Sequence, residues 1–355
     1  MAPKRVQNRQ LKQKPAAAVQ LLKQPRPNQM QKVENAMKSM MKWILATAAG
    51  TIAAVCPEIH PRGRLIVGSA CSGISAELMA LDWLNVKYVA CFGCECEEHL
   101  RRLSGDMHGY CQMYDDVRSL NYLSSPTCDL FVAGFPCQPY SAAGSGQGAS
   151  DKSSGQIMMS LARWLFVHRP KAFVLENVPG LLHRHPSTLL LLISVLQALR
   201  NPNGRNMYQV QPAPLGRFLQ NKLSAKTAAE LGIDRRSLNK TERLNLSAVL
   251  QSLKGVDLAK EKWVADISGS KAHKMKGISP TLTKSRAQSK GFWLTWLNRK
   301  MTTEEILKLQ GIDPDIIPPG VVSERQVRGA AGNSIPIPLL ARLLKQVLTA
   351  MGHDV

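Results

Sequence analysis

The sequence predicts an α/β protein in which helices cover both faces of a mostly parallel sheet. Between residues 64 and 200, short apolar runs alternate with segments of helical spacing. The runs are apolar at successive positions, as in strands that are buried on both faces. The predicted strands are Arg64–Ala70, Lys87–Glu95, Asp129–Gly134 and Lys171–Val178. The predicted helices are Ile74–Leu84, one that starts within Glu97–Leu103, Ile157–His168 and Ser187–Arg200.

The C-terminal third predicts a smaller unit and a return to the main domain. The strand–helix rhythm fades over residues 211–277, which are rich in Lys, Ser, Leu and Asn, so we expect a small, partly helical subdomain there. Residues 278–355 then return to the main domain, residues 64–210. Thr302 and Glu305 have the spacing of a capping box, and Gly311 suits a helix stop. Pro338–Met351 predicts a final apolar helix.

The N-terminal residues predict a basic tail. Residues 1–40 carry no acid before Glu34, and such a segment cannot bury enough apolar surface to fold alone. It could act as a nucleic-acid arm, a nuclear-import signal or an organelle transit peptide. Its Lys and Gln outnumber its Ser and Arg, which favours the nucleus. Residues 41–63 predict a helical lead-in, and Trp43–Cys56 within it is either packed on the main domain or anchored at a membrane surface.

The net charge and the cysteine content indicate which partners and which kinds of site to expect. The net charge of +21 favours an anionic polymer as partner, and nucleic acid first. No run of about 18 apolar residues exists, so no membrane span is expected. The eight cysteines follow no apolar leader, which indicates reduced thiols. Cys91, Cys94 and Cys96 lack a second ligand cluster, so we expect strand-end core residues and no metal site.

Three groups of residues follow predicted strands. Ser72 and Gly73 lie in a strand-to-helix turn, and Glu95 ends the next strand, where an acid can accept hydrogen bonds from ribose hydroxyls. Cys137 lies between two prolines just after the third strand, and a Gly/Ser-rich loop, residues 144–155, that could close over a substrate follows it. Glu176 ends the fourth strand, so its carboxyl group should project at the same sheet edge as Cys137.

The Pro-Cys-Gln of residues 136–138 and the Glu-Asn-Val of residues 176–178 together closely resemble the cytosine-C5 DNA methyltransferase family. "SACSG", "DDVRSL", "RKMTTEEILKLQGI" and "GNSIPIP" follow the family's order, and the resemblance spans about Arg64 to Met351. It implies a Rossmann-like S-adenosylmethionine-dependent methyltransferase fold with a target-recognition subdomain at residues 211–277. The partner it implies is DNA, bound by a monomer.

The resemblance also implies residue roles. Cys137 would attack C6 of a cytosine that has flipped out of the duplex, and Glu176 would hydrogen-bond N3 and the exocyclic amine. The implied cofactor contacts are Ser72, Gly73, Glu95, Asp116, Pro136, Asn333 and Ser334, and the implied substrate contacts are Gln138, Ser141, Asn177 and Arg217.

Two departures leave alternatives open. Cys71 and Ser72 stand where the family's cofactor turn has Phe and more glycine. The family's Gln-x-Arg-x-Arg strand is represented only by "MYQVQPAPLGRFLQNK", which contains Arg217 alone. The alternatives are cytosine-C5 methylation of tRNA and a nucleic-acid-binding protein of the same fold with weakened catalysis. A cysteine hydrolase is disfavoured, because no His lies near Cys137 in the sequence.

Overall fold

The computed structural model describes residues 64–120, 124–141, 144, 146–151, 154–198 and 225–355. The basic tail, the helical lead-in and Arg217 lie outside these residues, as does part of the Gly/Ser-rich loop. The domain boundaries expected at residues 40, 63 and 210 therefore stay predictions.

A five-stranded parallel sheet forms the centre of the molecule. Its strands are β1 (Leu65–Ala70), β2 (Tyr88–Cys94), β3 (Gln112–Tyr114), β4 (Leu130–Gly134) and β5 (Ala172–Glu176), in the order β3-β2-β1-β4-β5. The order reverses direction at β1, and open α/β sheets of this kind bind ligands beyond the carboxyl ends of the strands beside such a point. The prediction of a mostly parallel sheet is confirmed.

Helices connect these strands and cover the sheet. They are α1 (Ala76–Trp83), α2 (Glu98–His108), α3 (Ile157–His168), α4 (Gly180–His183) and α5 (Pro186–Ala198). Along β1, Leu65 and Val67 face one apolar core with α1, while Ile66 faces a second core with α3. Because successive strand residues point to opposite faces, a strand buried on both sides must be apolar throughout, which is why these strands read as continuous apolar runs.

A second sheet of four antiparallel strands lies in the C-terminal half. The preceding helices are α6 (Ala225–Glu230) and α7 (Lys240–Ser252), and the strands are β6 (Trp263–Asp266), β7 (His273–Lys276), β8 (Phe292–Leu294) and β9 (Arg299–Lys300), in the order β7-β6-β8-β9. The short helix α8 (Lys284–Gln288) joins β7 to β8. The sequence pattern predicts helix in this region but not this sheet, because its strands have only two to four residues.

The second sheet packs on both sides. Val264, Phe292 and Leu294 join the core of the main domain, whereas Ala265 and Trp293 pack with α7 in a small core of their own. The boundary expected at residue 277 falls within this sheet, since β6 pairs with β8 across it. The small unit therefore shares a core with the main domain.

The chain ends with helices α9 (Thr303–Leu309), α10 (Glu324–Asn333) and α11 (Ile337–Ala350). The predicted capping box of Thr302 and Glu305 is present at the start of α9, and Gly311 follows the helix with a φ of 77°. α11 packs against α1, which returns the C-terminus to the main domain. None of the described helices combines the length and the apolar character that crossing a bilayer requires.

Candidate active site at the carboxyl edge of the parallel sheet

The ends of β4 and β5 bring Cys137 and Glu176 to one place. Gly134 is the register partner of Glu176, and Cys137 follows three residues later in the chain. A Cβ atom at Gly134 would lie 3.3 Å from Glu176 Oε2, so the carboxyl group extends over the end of β4. The absence of a side chain at Gly134 is what leaves room for it.

The Cys137 turn is held by its own backbone. The amide groups of Tyr140 and Ser141 both donate to the Cys137 carbonyl, at 2.9 and 2.8 Å. Tyr140 is fully buried and packs edge-on against Phe135 and His185. The thiol itself is half-buried, and Gln138 beside it is exposed. The loop thus buries its apolar residue Tyr140 and exposes its polar residue Gln138.

Asn177 joins the two loops. Its Nδ2 donates to the Phe135 carbonyl at 2.9 Å, and its Oδ1 accepts from the Val178 amide at 2.9 Å. Both functional ends of the amide are therefore used by the backbone. The substrate contact expected for Asn177 stays a prediction, but the side chain has a defined place between the Cys137 and Glu176 loops.

Burial shapes the acid–base chemistry of this pair. Desolvation raises the pKa of the Cys137 thiol, a backbone hydrogen bond partly offsets this, and the nearby Glu176 charge raises it further. Desolvation also raises the pKa of the Glu176 carboxyl group, although part of the Glu176 side chain is exposed. A carboxyl group with a raised pKa retains its proton closer to neutrality and can donate it.

The turn between β1 and α1 forms a second part of the site. The Gly73 amide donates to Glu95 Oε2 at 2.8 Å, and the Glu97 amide donates to Glu95 Oε1 at 2.8 Å. Gly73 has a φ of 54°, and a Cβ atom there would meet nothing within 4 Å. Ser72 is fixed by the bond from its amide to the Cys94 carbonyl, at 3.1 Å.

This turn fits the adenosyl part of S-adenosylmethionine. The space beside Gly73 is open, and the Glu95 carboxylate, which accepts two backbone N–H groups and a hydrogen bond from the Cys96 side chain, keeps a lone pair for a further donor. A ribose hydroxyl could donate to that lone pair. Asp116 follows β3 at the same edge, where Arg118 hydrogen-bonds its carboxylate and so lowers its pKa.

The C-terminal segment also reaches this edge. Ile335 Cδ1 lies 4.0 Å from the position of a Gly134 Cβ atom, so the residues after Asn333 and Ser334 pass over the end of β4. The Gln310 side chain holds this segment by donating to the Ala331 and Ser334 carbonyls, at 2.7 and 3.1 Å. Asn333 is exposed and Ser334 half-buried.

An ion pair that the sequence does not predict links two of these segments. Lys284, at the start of α8, pairs with Glu97, whose amide holds Glu95. The residue before it, Thr283, packs its carbonyl against Gly332. Lys284 lies in a lysine-rich stretch, and its pairing across 187 residues leaves no mark in the local sequence.

Among the residues that the structure describes, the cysteines other than Cys137 show no arrangement for metal binding. Cys91 and Cys94 are buried, as predicted for strand-end core residues, but Cys96 is exposed because it lies beyond the end of β2. Within the described residues, no group of three or more His, Cys, Asp or Glu side chains is placed to hold an ion.

Comparison with known proteins shows which family the chain resembles. The model of the C-5 cytosine-specific DNA methylase family matches residues 81–215, which include both Cys137 and Glu176. Over these residues the chain is similar to this family. Members of the C-5 cytosine-specific DNA methylase family are methyltransferases that use S-adenosylmethionine, in agreement with the turn around Gly73 and Glu95.

Individual relatives extend the similarity beyond the matched residues. The chain is 25% identical to the type II methyltransferase M1.ScrFI of Lactococcus lactis subsp. cremoris over 268 residues, or 67% of each chain. It is 25% identical to M.NgoBI of Neisseria gonorrhoeae over 283 residues, which cover 70% of this chain and 83% of that one.

A solved structure confirms the fold. The Dnmt2 methyltransferase of S. pombe superposes with a TM-score of 0.51 at 14% identity, and the match covers 82% of this chain and all of that one. At this identity the similarity concerns the fold, and it confirms the predicted Rossmann-like methyltransferase architecture.

Proposed function

We propose that this protein transfers a methyl group from S-adenosylmethionine to C5 of cytosine in DNA, through a covalent bond between Cys137 and C6. The placement of Cys137 beside Glu176 at the ends of adjacent parallel strands carries the proposal. The match of the DNA methylase family model across both residues supports the reaction type.

Cys137 and Glu176 act together on the cytosine ring. The Cys137 thiolate adds to C6, and the electron pair of the C5–C6 bond moves so that C5 becomes nucleophilic. The protonated Glu176 donates a hydrogen bond to N3, which stabilises the negative charge that spreads into the ring. When bound, S-adenosylmethionine supplies the methyl group. A base then removes the C5 proton, the C5–C6 double bond reforms, and the thiolate leaves.

Access to C6 requires base flipping. Inside a duplex C6 lies within the base stack, so the target nucleotide must rotate out at a cost of roughly a few kcal/mol. Residues 138–141 follow the nucleophile, and Gln138 and Ser141 are proposed to contact the flipped nucleotide. The basic residues of segment 1–40 would add phosphate contacts, and their composition supports a nuclear location.

A trapping experiment tests this proposal. The protein is incubated with S-adenosylmethionine and a duplex that contains 5-fluorocytosine, which blocks loss of the C5 substituent and so preserves the covalent bond. We expect a denaturation-resistant adduct with the wild-type protein and none with Cys137→Ser. A wild-type protein that binds the duplex without an adduct would support a binding protein with weakened catalysis instead.

Substrate choice is tested with labelled S-adenosylmethionine. Duplex DNA and tRNA are offered separately at equal cytosine concentration. We expect transfer of label to the DNA. Label in tRNA alone would replace the DNA proposal with the RNA alternative while leaving the roles of Cys137 and Glu176 in place.

A further inference from the structure

Hydrogen bonds connect four polar side chains where α1 meets α2, next to the turn that follows β1. Ser75 Oγ is hydrogen-bonded to Ser104 Oγ of α2, and it lies 2.8 Å from the Tyr110 hydroxyl group. Tyr110 in turn donates to Glu77 Oε1 at 3.1 Å. Ser75, Glu77 and Ser104 are buried, and Tyr110 is half-buried. These four residues form the Glu77 network, and none of them is among the residues assigned to catalysis or cofactor binding.

The hydroxyl groups of the Glu77 network have a defined order of donors. A hydroxyl group donates one proton, and Tyr110 uses its proton on Glu77. Ser75 therefore donates to Tyr110, and Ser104 donates to Ser75. Each hydroxyl group is thus oriented by the next one, and the order begins at the Glu77 carboxyl group.

Ser75 has a backbone conformation that a residue with a Cβ atom rarely adopts. Its φ and ψ are 59° and 52°, in the left-handed region. A serine before a helix usually accepts a hydrogen bond from an amide of the first turn, but in the described part of the chain the Ser75 side chain makes no such bond. Its hydroxyl group lies in the Glu77 network instead, and these bonds hold the unusual conformation.

The conformation of Ser75 sets the shape of the cofactor turn. The Ser75 amide donates to the Ser72 carbonyl at 2.7 Å, which closes the turn around Gly73. The Gly73 amide donates to Glu95, the carboxylate that suits a ribose hydroxyl. A change in the Ser75 backbone would therefore move the turn whose open space fits the adenosyl part of the cofactor.

Glu77 places a carboxyl group in the protein core, which is energetically unfavourable. The residue is 4% exposed, and among the described residues it forms no ion pair. Burial raises the pKa of Glu77, although nearby hydrogen-bond donors partly oppose this. An apolar side chain at this position would avoid the cost of burying a carboxyl group, so Glu77 does more than fill space.

We propose that Ser75, Tyr110 and Glu77 are positioning residues for S-adenosylmethionine. Through Tyr110, the Glu77 carboxyl group holds Ser75 in the left-handed conformation. Ser75 in turn keeps Ser72 and Gly73 in the shape that receives the cofactor. The inference rests on the proposed function, in which S-adenosylmethionine is the methyl donor. A turn that is held in place before binding reduces the entropy cost of binding, so the network acts on cofactor affinity.

Two substitutions of Ser75 test the role of its conformation. Ser75→Gly and Ser75→Ala both remove the hydroxyl group, but only glycine adopts left-handed angles without a steric cost. Isothermal titration calorimetry measures the Kd of each protein for S-adenosylmethionine in the absence of nucleic acid. We expect Kd to rise about tenfold in Ser75→Ala and only about two- to threefold in Ser75→Gly. Equal Kd values in the two variants would overturn the proposal.

Asn85 provides a matched control for backbone strain. It lies beyond the other end of α1 and also has a left-handed φ, of 55°. Asn85→Ala introduces the same kind of strain away from the cofactor turn, so the unfolding temperature should fall while Kd stays within about twofold of the wild-type value. A rise in Kd equal to that of Ser75→Ala would show that lost stability alone weakens cofactor binding, which contradicts a positioning role.

A double-mutant cycle tests whether Tyr110 acts through Ser75. Tyr110→Phe removes the hydroxyl group that joins Ser75 to Glu77, so we expect Kd to rise about five- to tenfold. In the Ser75→Gly background there is no Ser75 hydroxyl group left to release, and the same substitution should change Kd by less than about twofold. An equal effect of Tyr110→Phe in both backgrounds would reject Ser75 as the link.

Two substitutions of Glu77 test the start of the network. Glu77→Gln keeps an acceptor for Tyr110, whereas Glu77→Leu removes it, so Kd should rise about two- to threefold in the first and about tenfold in the second. In steady-state assays, KM for S-adenosylmethionine should follow Kd, while kcat and KM for DNA change by less than about twofold. A fall in kcat at unchanged cofactor KM would reject the assignment to cofactor positioning.

Measurement of cofactor binding by itself separates this inference from the proposed function. Variants that follow the expected order of Kd, in a protein that methylates neither DNA nor tRNA, would keep the positioning roles and reject the proposed function. A wild-type protein that binds no S-adenosylmethionine would reject both.

Discussion

At the residue scale, the proposed activity depends on where the proton lies between Cys137 and Glu176. In the proposed reaction the thiol loses its proton to attack C6, whereas the carboxyl group keeps one to hydrogen-bond N3. Desolvation opposes both charges, and the Glu176 charge also raises the pKa of the Cys137 thiol. The pair therefore favours the state in which only one of the two groups is ionised.

This coupling predicts the direction of a pH effect. Because the proposed reaction needs the Cys137 thiolate together with a protonated Glu176, kcat/KM of the wild type should rise and then fall with pH. Glu176→Gln removes the group that must keep its proton, so the fall at high pH should disappear, while the maximum rate decreases by about 100-fold or more with the loss of the acid. The measurement is kcat/KM against pH for both proteins. A variant that keeps the fall at high pH would contradict the assignment.

Substitution of Gly134, another single residue of the site, should also change kcat. In Gly134→Ala, the new Cβ would lie 3.3 Å from Glu176 Oε2, so the carboxyl group must shift by a few tenths of an ångström. Misplacement by about 1 Å can cost about 100-fold in rate, so we expect kcat to fall roughly tenfold. Since the contact is with the end of a side chain, thermal unfolding should change little.

Gly105 provides the matched control for this substitution. It lies inside α2, and a Cβ there would meet nothing within 4 Å. Gly105→Ala should raise stability by up to about 1 kcal/mol, the usual preference for Ala in helices, and leave kcat unchanged. Equal kcat values in the two variants would show that the space at Gly134 is irrelevant to catalysis.

At the element scale, the loops after β4 and β5 act as one unit because Asn177 joins them. The Cys137 loop carries the proposed nucleophile and the Glu176 loop carries the proposed acid, and the bond from Asn177 to the Phe135 carbonyl fixes one loop against the other. Two short loops at the edge of a sheet would otherwise be free to move independently.

Two substitutions of Asn177 distinguish the roles of its two hydrogen bonds. Asn177→Asp keeps the acceptor for the Val178 amide and loses the donor to Phe135, whereas Asn177→Leu loses both. We expect kcat to fall by at least about tenfold in each, because the two functional groups lose their fixed relative position. Steady-state kinetics and limited proteolysis of the Cys137 loop provide the measurements. Wild-type kcat in Asn177→Asp would show that the donor bond has no role in positioning.

At the scale of the whole molecule, the second sheet couples the small unit to the catalytic domain. One face of the sheet lies in the main core and the other packs against α7. The buried pair of Lys300 and Glu242 connects α7 to β9. Removal of one partner from such a pair leaves an uncompensated buried charge, which is far more costly than removal of both.

The buried Lys300–Glu242 pair predicts that a second substitution restores stability that the first one removes. Lys300→Met should lower the free energy of unfolding by about 3–5 kcal/mol. The addition of Glu242→Gln removes the remaining charge while keeping the hydrogen bond of the α7 capping box, so the double variant should regain most of the loss. Urea unfolding of the three proteins measures this. A double variant less stable than Lys300→Met would contradict the explanation.

Much of this molecule was determined locally by its sequence. Apolar residues at successive positions define β1, β2 and β4 because a strand buried on both faces has no polar side. The capping box at Thr302 follows from hydrogen bonds within one helical turn, and the motifs around Cys137 and Glu176 placed both residues at strand ends. Each of these features depends on residues close together in the chain.

Tertiary structure decided the features that join distant segments. The short strands of the second sheet gain their stability from pairing across residue 277 and from two cores at once, so their own sequence predicts them weakly. The space at Gly134, the Asn177 bridge and the pair of Lys284 with Glu97 each depend on chain segments that only folding brings together. A sequence pattern records what a residue does to its neighbours in the chain, whereas these contacts exist only after the chain has paid the entropy of bringing remote segments together.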